Sequence, residues 1–246
     1  MAELNSLILA DFFLGRAQSK PDFEIVTFTT SDDREDEIRT YGQIWENSQK
    51  LSAAMRDHGL GSMDSFAIML RNHPEFIEGM AAASTLGAAF VPIDPRTRGL
   101  KLAYTLNNSE SKGIICADYC IEQVMEVKDQ VPGLEWVIVI DGTGESDASP
   151  RMAEFQNCIS MAEIMQGPAV SVDRVVEDPL HPLEIIYTSG TTGDPKGVSI
   201  ANARLAGGTM GGPGLQFIPG DKPYTGLSLT HGNAQSLTLF PAIGMD

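Results

Sequence analysis

Basic residues are scarce in this chain of 246 residues: 17 Lys and Arg stand against 33 Asp and Glu, a formal net charge of −16. That shortage argues against nonspecific nucleic-acid binding and against adhesion to anionic membranes, since both rely on clustered cations. A local anion site stays open, because net charge says little about one pocket. Cysteine is sparse as well. Cys116, Cys120 and Cys158 are odd in number and widely spaced, which is no disulfide framework and fits a reducing compartment. Cys116 and Cys120 have no second Cys/His pair nearby to complete a zinc site, so buried packing is the expectation for both. Long hydrophobic runs are missing too. The uncharged stretch 79–93 is broken by Ser84, Thr85, Gly87 and Pro92, and falls short of the roughly 18–20 apolar residues that a membrane span needs. Residues 1–6 lack the basic start of a signal or transit peptide. The expectation is a cytoplasmic protein without a membrane span or a nucleic-acid partner.

What is present is an ordinary globular composition, 42% hydrophobic and 20% charged. The length suits one large domain or two small ones. Residues 24–30 read as a strand. The run Ser31-Asp32-Asp33-Arg34-Glu35-Asp36-Glu37 follows, with five acids to one base. It reads either as a cation-binding loop or as a solvated hairpin tip, and the lack of a Gly to turn the chain around a metal favours the tip. Thr40-Tyr41-Gly42-Gln43 has the spacing of a capping box. The helix it opens is predicted to run to His58, with Gly59 as a left-handed stop. Phe66–Leu70 reads as a strand, and the next helix is predicted to start with Asn72 as N-cap and Pro74 in its first turn, ending near Gly87. A buried strand at Ala88–Ile93, a helix around Gly99–Asn107, a strand at Lys112–Ala117, a helix over Asp118–Val131 and an apolar strand at Trp136–Ile140 continue the pattern. A loop at Asp141–Pro150 and a short helix near Ile159–Met165 come next, before an irregular stretch through Pro168, Pro179 and Pro182. Short strands alternating with longer helices argue for an α/β fold of βαβ units around a largely parallel sheet.

One stretch is sharply informative. Ile185-Ile186-Tyr187 is a short apolar strand end that runs into Thr188, Ser189, Gly190, Thr191, Thr192 and Gly193, with four hydroxyls and two glycines in six positions. Glycine lets backbone N–H groups approach an anion closely, and successive N–H groups form a nest for phosphate oxygens. Asp194-Pro195-Lys196-Gly197 suits a type I turn that would hold the Lys196 ammonium beside bound phosphates. The spacing is not that of a Walker A loop, because Asp-Pro separates Gly193 from Lys196 and Gly follows the Lys. On composition alone, the alternative is a Gly/Thr surface loop without a ligand. Downstream, Lys222–Thr230 reads as a strand leading to His231-Gly232-Asn233-Ala234-Gln235, where His231 is either a structural histidine or a site residue.

Residues 187–198 resemble the signature loop of the adenylate-forming (ANL) superfamily, which holds acyl-CoA synthetases, aryl-CoA ligases, luciferases and nonribosomal adenylation domains. Thr40-Tyr41-Gly42-Gln43 resembles the "TY" helix start of these enzymes, and 87–95 resembles their "GA-x-x-VP-x-(N/D)P" strand and turn. The resemblance implies the α/β large N-terminal domain of such enzymes, truncated, with residues 1–246 as part of that domain and the small C-terminal domain absent. It implies an AMP-forming acid–CoA ligase. ATP and a small-molecule carboxylic acid give an acyl-adenylate and pyrophosphate, and coenzyme A then takes the acyl group. Thr188, Ser189, Gly190, Thr191, Thr192, Gly193 and Lys196 are implied to hold the ATP phosphates, and His231, Gly232 and Asn233 to line the acyl site. No Asp lies near His231, where amino-acid adenylation domains carry one, so the resemblance favours a non-amino acid. The His-x-Asn-Ala-Gln pattern is similar to that of carnitine/crotonobetaine-CoA ligases.

The motifs that hold adenine and Mg²⁺, clamp the ribose and form the hinge are implied to lie beyond Asp246, as is the catalytic Lys of the small domain. The chain is therefore expected to be incomplete for catalysis, with no metal ligand of its own. Two alternatives are a fragment of an amino-acid adenylation domain and a non-catalytic nucleotide-binding piece that needs a complementing C-terminal chain. A decayed product without a role is a third. Apolar faces and sheet edges that a missing half would cover predict self-association, which a clean monomer by light scattering contradicts.

Overall fold

The computed structural model describes residues 3–29, 36–142, 149–188 and 194–245, with only the backbone at 149 and 150. The loop residues Ser189, Gly190, Thr191, Thr192 and Gly193 and most of the acidic run at 31–37 lie outside the described residues. Local signals in the sequence explain several helix ends. Helix α1 (Leu9–Ser19) precedes the hairpin of β1 (Glu24–Phe28) and β2 (Glu37–Thr40). Thr40 then caps α2 (Tyr41–Asp57). Its hydroxyl accepts from the Gln43 N–H at 3.3 Å, and the Gln43 side chain accepts from the Thr40 N–H at 2.9 Å. Gly59, at φ 87°, lets the chain leave α2 in the left-handed region. After β3 (Ser65–Met69), helix α3 (Pro74–Leu86) stops at Gly87, which sits at φ 67° as a left-handed cap.

The chain continues through β4 (Ala89–Pro92), α4 (Gly99–Asn108), β5 (Ser111–Ala117), α5 (Ile121–Val127) and β6 (Trp136–Ile140). The helix expected over 118–131 is broken into 3₁₀, α and 3₁₀ turns, so only α5 is α-helical. Helix α6 (Ser149–Met152), strand β7 (Cys158–Ser160), helix α7 (Met161–Gln166), strands β8 (Pro182–Thr188) and β9 (Lys196–Ala201) and helix α8 (Asn202–Ala206) follow. A helical segment over 232–243, with a π-turn in its middle, comes last.

Seven strands form one sheet in the order β7-β6-β5-β3-β4-β8-β9. Every neighbouring pair is parallel except β8 and β9. Alternation along the central strands splits their side chains between two faces. Phe66, Ile68, Phe90, Ile115, Trp136 and Ile138 pack with α1, α2, α3 and α7 on one face. Ala67, Met69, Val91, Ile114, Cys116 and Val137 pack with α4 and α5 on the other. Because both faces are covered, β3 and β6 are buried at every position. Cys116 and Cys120 are packed in the second layer, where burial pushes both thiols up, Cys120 to about 12. Among the described residues, no helix is long and apolar enough to cross a membrane.

Candidate functional site at the carboxyl edge of the sheet

Strands β3 and β4 are parallel neighbours, but the chain leaves them in opposite directions. It turns from β3 into α3 on the first face, and from β4 into α4 on the second. A crevice outside the carboxyl ends of two such strands is where open α/β sheets bind ligands. Three segments converge there: 71–73 after β3, 94–98 after β4 and the end of β8.

Strand β8 runs parallel to β4 with Glu184 beside Phe90, so Thr188 lies past the carboxyl end of β4. Thr188 is exposed and pairs with Lys196, the first residue of β9. Here the structure corrects the expected turn. Asp194 and Pro195 precede the strand, whereas Lys196 and Gly197 already belong to the antiparallel ladder with β8. The run Val198-Ser199-Ile200 extends that ladder once Pro195 has fixed the entry, and the Tyr104 hydroxyl pins the Pro195 carbonyl at 3.1 Å. Lys196 is thus exposed on a strand end, across from Thr188 and at the mouth of the loop it was expected to serve.

His231 belongs to the same edge. It lies near Asp94, whose carboxyl is held below the usual range chiefly by its bonds to Arg96, with His231 the smallest of the contributions. The Arg96 guanidinium reaches Asp94 at 2.6 and 3.0 Å, and the Arg96 N–H at 2.8 Å. Gly232 lies close on β8: a Cβ there would meet Ile186 at 3.3 Å. The fold therefore brings His231 and Gly232 next to the strand that leads to Thr188. Asn233 is exposed one residue further on.

The stretch 222–230, expected as a strand, is irregular. Pro223 and Gly226 interrupt it, and the Asn72 side chain takes up backbone groups that a ladder would use. Asn72 donates to the Leu227 carbonyl at 3.0 Å and accepts from the Leu229 N–H at 2.8 Å. The same contacts correct the reading of Asn72 as N-cap of α3, a position that His73 occupies. His73 Nε2 and the Tyr119 hydroxyl are 2.9 Å apart, and that hydroxyl also accepts from the Arg71 N–H at 2.9 Å. The Arg71 guanidinium stacks 4.5 Å from the Tyr119 ring centre. Burial pushes the Tyr119 phenol up, which keeps it a neutral donor at physiological pH.

Beneath His231 lies a buried pair that the sequence reading did not single out. Glu184 on β8 is 2% exposed and Gln235 is fully buried. Gln235 Nε2 donates to Glu184 Oε1 at 2.9 Å and to the Leu229 carbonyl at 2.8 Å. Burial raises the Glu184 carboxyl to about 7, with the Gln235 bond pulling in the opposite direction. No local signal marks this pair: His231 is the extended, exposed N-cap of the segment, whereas Gln235 points into the core from its π-turn. A cavity of about 410 Å³ opens behind the segment, with Phe23, Tyr41, Leu229 and Leu239 among its walls, a size usual for small-molecule sites. Among the described residues, no group of three or more His, Cys, Asp or Glu is arranged to hold a metal ion.

A family model described as "AMP-binding enzyme" matches residues 13–244, nearly the whole chain. The chain belongs to the AMP-binding enzyme family. Membership agrees with the resemblance drawn from residues 187–198 and adds the long stretches between the motifs. The 4-hydroxybutyrate–CoA ligase 2 of Metallosphaera sedula is 28% identical over 160 residues, 65% of this chain and 29% of that protein. Bacitracin synthase 3 of Bacillus licheniformis is 27% identical over 198 residues, 80% of this chain and 3% of that protein. Among solved structures, an acetoacetyl-CoA synthetase from Streptomyces lividans superimposes with a TM-score of 0.81 at 18% identity. That match covers 96% of this chain and 37% of the synthetase, and it establishes a shared fold. The AMP-binding chain thus spans less than a third of the length of the ligase it matches.

Proposed function

We infer that residues 1–246 are the N-terminal part of an AMP-binding large domain that activates a carboxylic acid with ATP, forming an acyl-adenylate for transfer to coenzyme A. The observation that supports this reading is Thr188 paired with Lys196 past the carboxyl end of β4, with Gly232 of the His231 segment packed against Ile186 on the same strand β8. In such a site the protein aligns a carboxylate with the α-phosphate and stabilises charge on the departing pyrophosphate. Thr188 and Lys196 flank the connection whose residues Ser189, Gly190, Thr191, Thr192 and Gly193 we assign to the β- and γ-phosphates. Lys196 supplies a positive charge at that mouth. His231, Gly232 and Asn233 are assigned to the acyl side, where the imidazole sits beside the reacting carboxylate. Mg²⁺ accompanies ATP as its counter-ion.

The test is ATP binding by the purified 246-residue chain, measured by calorimetry beside Lys196→Ala. A lost charge-assisted bond costs about 1.5–3 kcal/mol, or roughly 10- to 150-fold in affinity. Absent ATP binding, or equal binding by the variant, overturns the assignment. The similarity to bacitracin synthase 3 supports a second reading, an amino-acid adenylation domain. Stable acyl-adenylate mimics separate the two: stabilisation by α-aminoacyl mimics alone selects the second, and stabilisation by non-amino acyl mimics selects the ligase.

A further inference from the structure

Two polar side chains, the exposed Asn72 and the buried Gln235, tie the His231 segment down from both sides, and one atom of Gln235 is left without a partner. On one side, Asn72 grips the backbone at Leu227 and Leu229. On the other, Gln235 bridges the Leu229 carbonyl to Glu184 on β8. Both protons of the Gln235 amide nitrogen are used in this way, yet Gln235 Oε1 is buried with no donor facing it. A buried amide oxygen left unpaired costs about 1–3 kcal/mol. An ionised Glu184 has no proton to offer that oxygen. A neutral Glu184 has one, on the carboxyl group that Gln235 Nε2 already touches.

We propose that Glu184 is carried as the neutral acid and closes a two-bonded acid–amide pair with Gln235, and that this pair, with Asn72, forms a strap positioning His231 at the carboxyl-edge crevice. In the pair, Gln235 Nε2–H donates to Glu184 Oε1 and the Glu184 O–H donates to Gln235 Oε1. The second Nε2 proton remains on the Leu229 carbonyl. The surroundings favour the neutral form. Burial disfavours the charge, and the ionisable groups on nearby elements do not add to that shift: Lys196 on β9, Glu75 and Glu78 on α3, Arg204 on α8 and His231 itself. The 232–243 segment carries no ionisable side chain. Loss of the proton places a charge in the core and strands Gln235 Oε1 again, so the strap slackens as pH rises. Asn72, Gln235 and Glu184 are positioning residues that act through His231. What His231 then does for catalysis rests on the acid-activation reading, whereas the strap does not.

The experiment is NMR on the unliganded chain, labelled at the Glu carboxyl carbons and the His rings. Glu184, assigned by loss of its signal in Glu184→Gln, is expected to titrate near 7. Glu184→Gln keeps a two-bonded pair through its own amide, so at one fixed low pH its His231 signal stays at the wild-type position. Gln235→Leu removes the bridge and shifts or broadens His231 while the His58 signal stays fixed. Asn72→Asp, which keeps the acceptor for the Leu229 N–H, lies between wild type and Asn72→Ala. Titration of Glu184 in the ordinary range near 4.5 overturns the proposal. So does an unchanged His231 signal in folded Gln235→Leu and Asn72→Ala. Added ATP that perturbs no resonance counts against the acid-activation reading alone, since the strap is measured without ligand.

Discussion

Thr40 shows how much one residue can announce. Its place three before Gln43 predicts the reciprocal cap, and both bonds are present. Thr40→Ala is expected to lose about 1 kcal/mol, read as a lower urea midpoint with an unchanged slope; an unmoved midpoint would show that the cap does not contribute. Asn72 teaches the opposite lesson. Asn before a Pro-containing first turn has the signature of an N-cap, but its partners Leu227 and Leu229 are far along the chain. Nothing local in the sequence distinguishes a cap from a tether of that kind. Glu184 hides for a related reason: within an apolar strand it reads as a solvent-facing position, until the 232–243 segment covers it. Thr188 and Lys196 stand out as candidates by residue type and spacing, whereas His231 becomes one only through the family resemblance.

Among elements, the β–α alternation from β3 to β6 is legible, since continuous apolar strands and well-stopped helices leave few alternatives. The misses have physical reasons. Strand β7 is three residues long and borrows its conformation from β6, and the 222–230 segment is held by side chains where β-rich composition suggested a ladder. The β5–β6 contact also fixes one residue tightly. Gly113 pairs directly with Trp136, whose fully buried indole occupies the space a Cβ would need. Gly113→Ala is expected to destabilise the sheet by about 1–3 kcal/mol or more, because the surrounding layer cannot yield without repacking. Thermal melts check this, and a wild-type melting temperature in the variant would mean that Trp136 moves freely.

For the whole molecule, two buried carboxyls set a common pH dependence. Glu78 is raised to about 7 by burial and then by Glu75, against Asn47 and Arg39, and Glu184 is raised to about 7 by burial. In both, the folded value exceeds the unfolded value of 4.5. Their contribution is therefore fully present below about pH 4.5 and is lost as pH rises through about 7. Each is worth at most about 3 kcal/mol across that window. Melting temperature is expected to fall between pH 5 and pH 8, by roughly 2–4 °C per kcal/mol lost, and less steeply in Glu184→Gln. A profile of equal slope in wild type and variant would remove Glu184 from this account.

The antiparallel β8–β9 pair has a further consequence, for the order in which the molecule assembles and opens. Its two strands are near neighbours in the chain, but it joins the parallel sheet through one paired position, Phe90 with Glu184, residues roughly ninety apart. Strands β3 to β6 each meet partners closer in sequence, so the hairpin is the late arrival in folding and the first cooperative unit to detach. Its amides exchange with solvent ahead of those in β3 and β5. The loop assigned to phosphate thus hangs on a hairpin with a single paired position on β4, and a nucleotide spanning that loop and the β4 edge would act as the rivet that holds the hairpin in place.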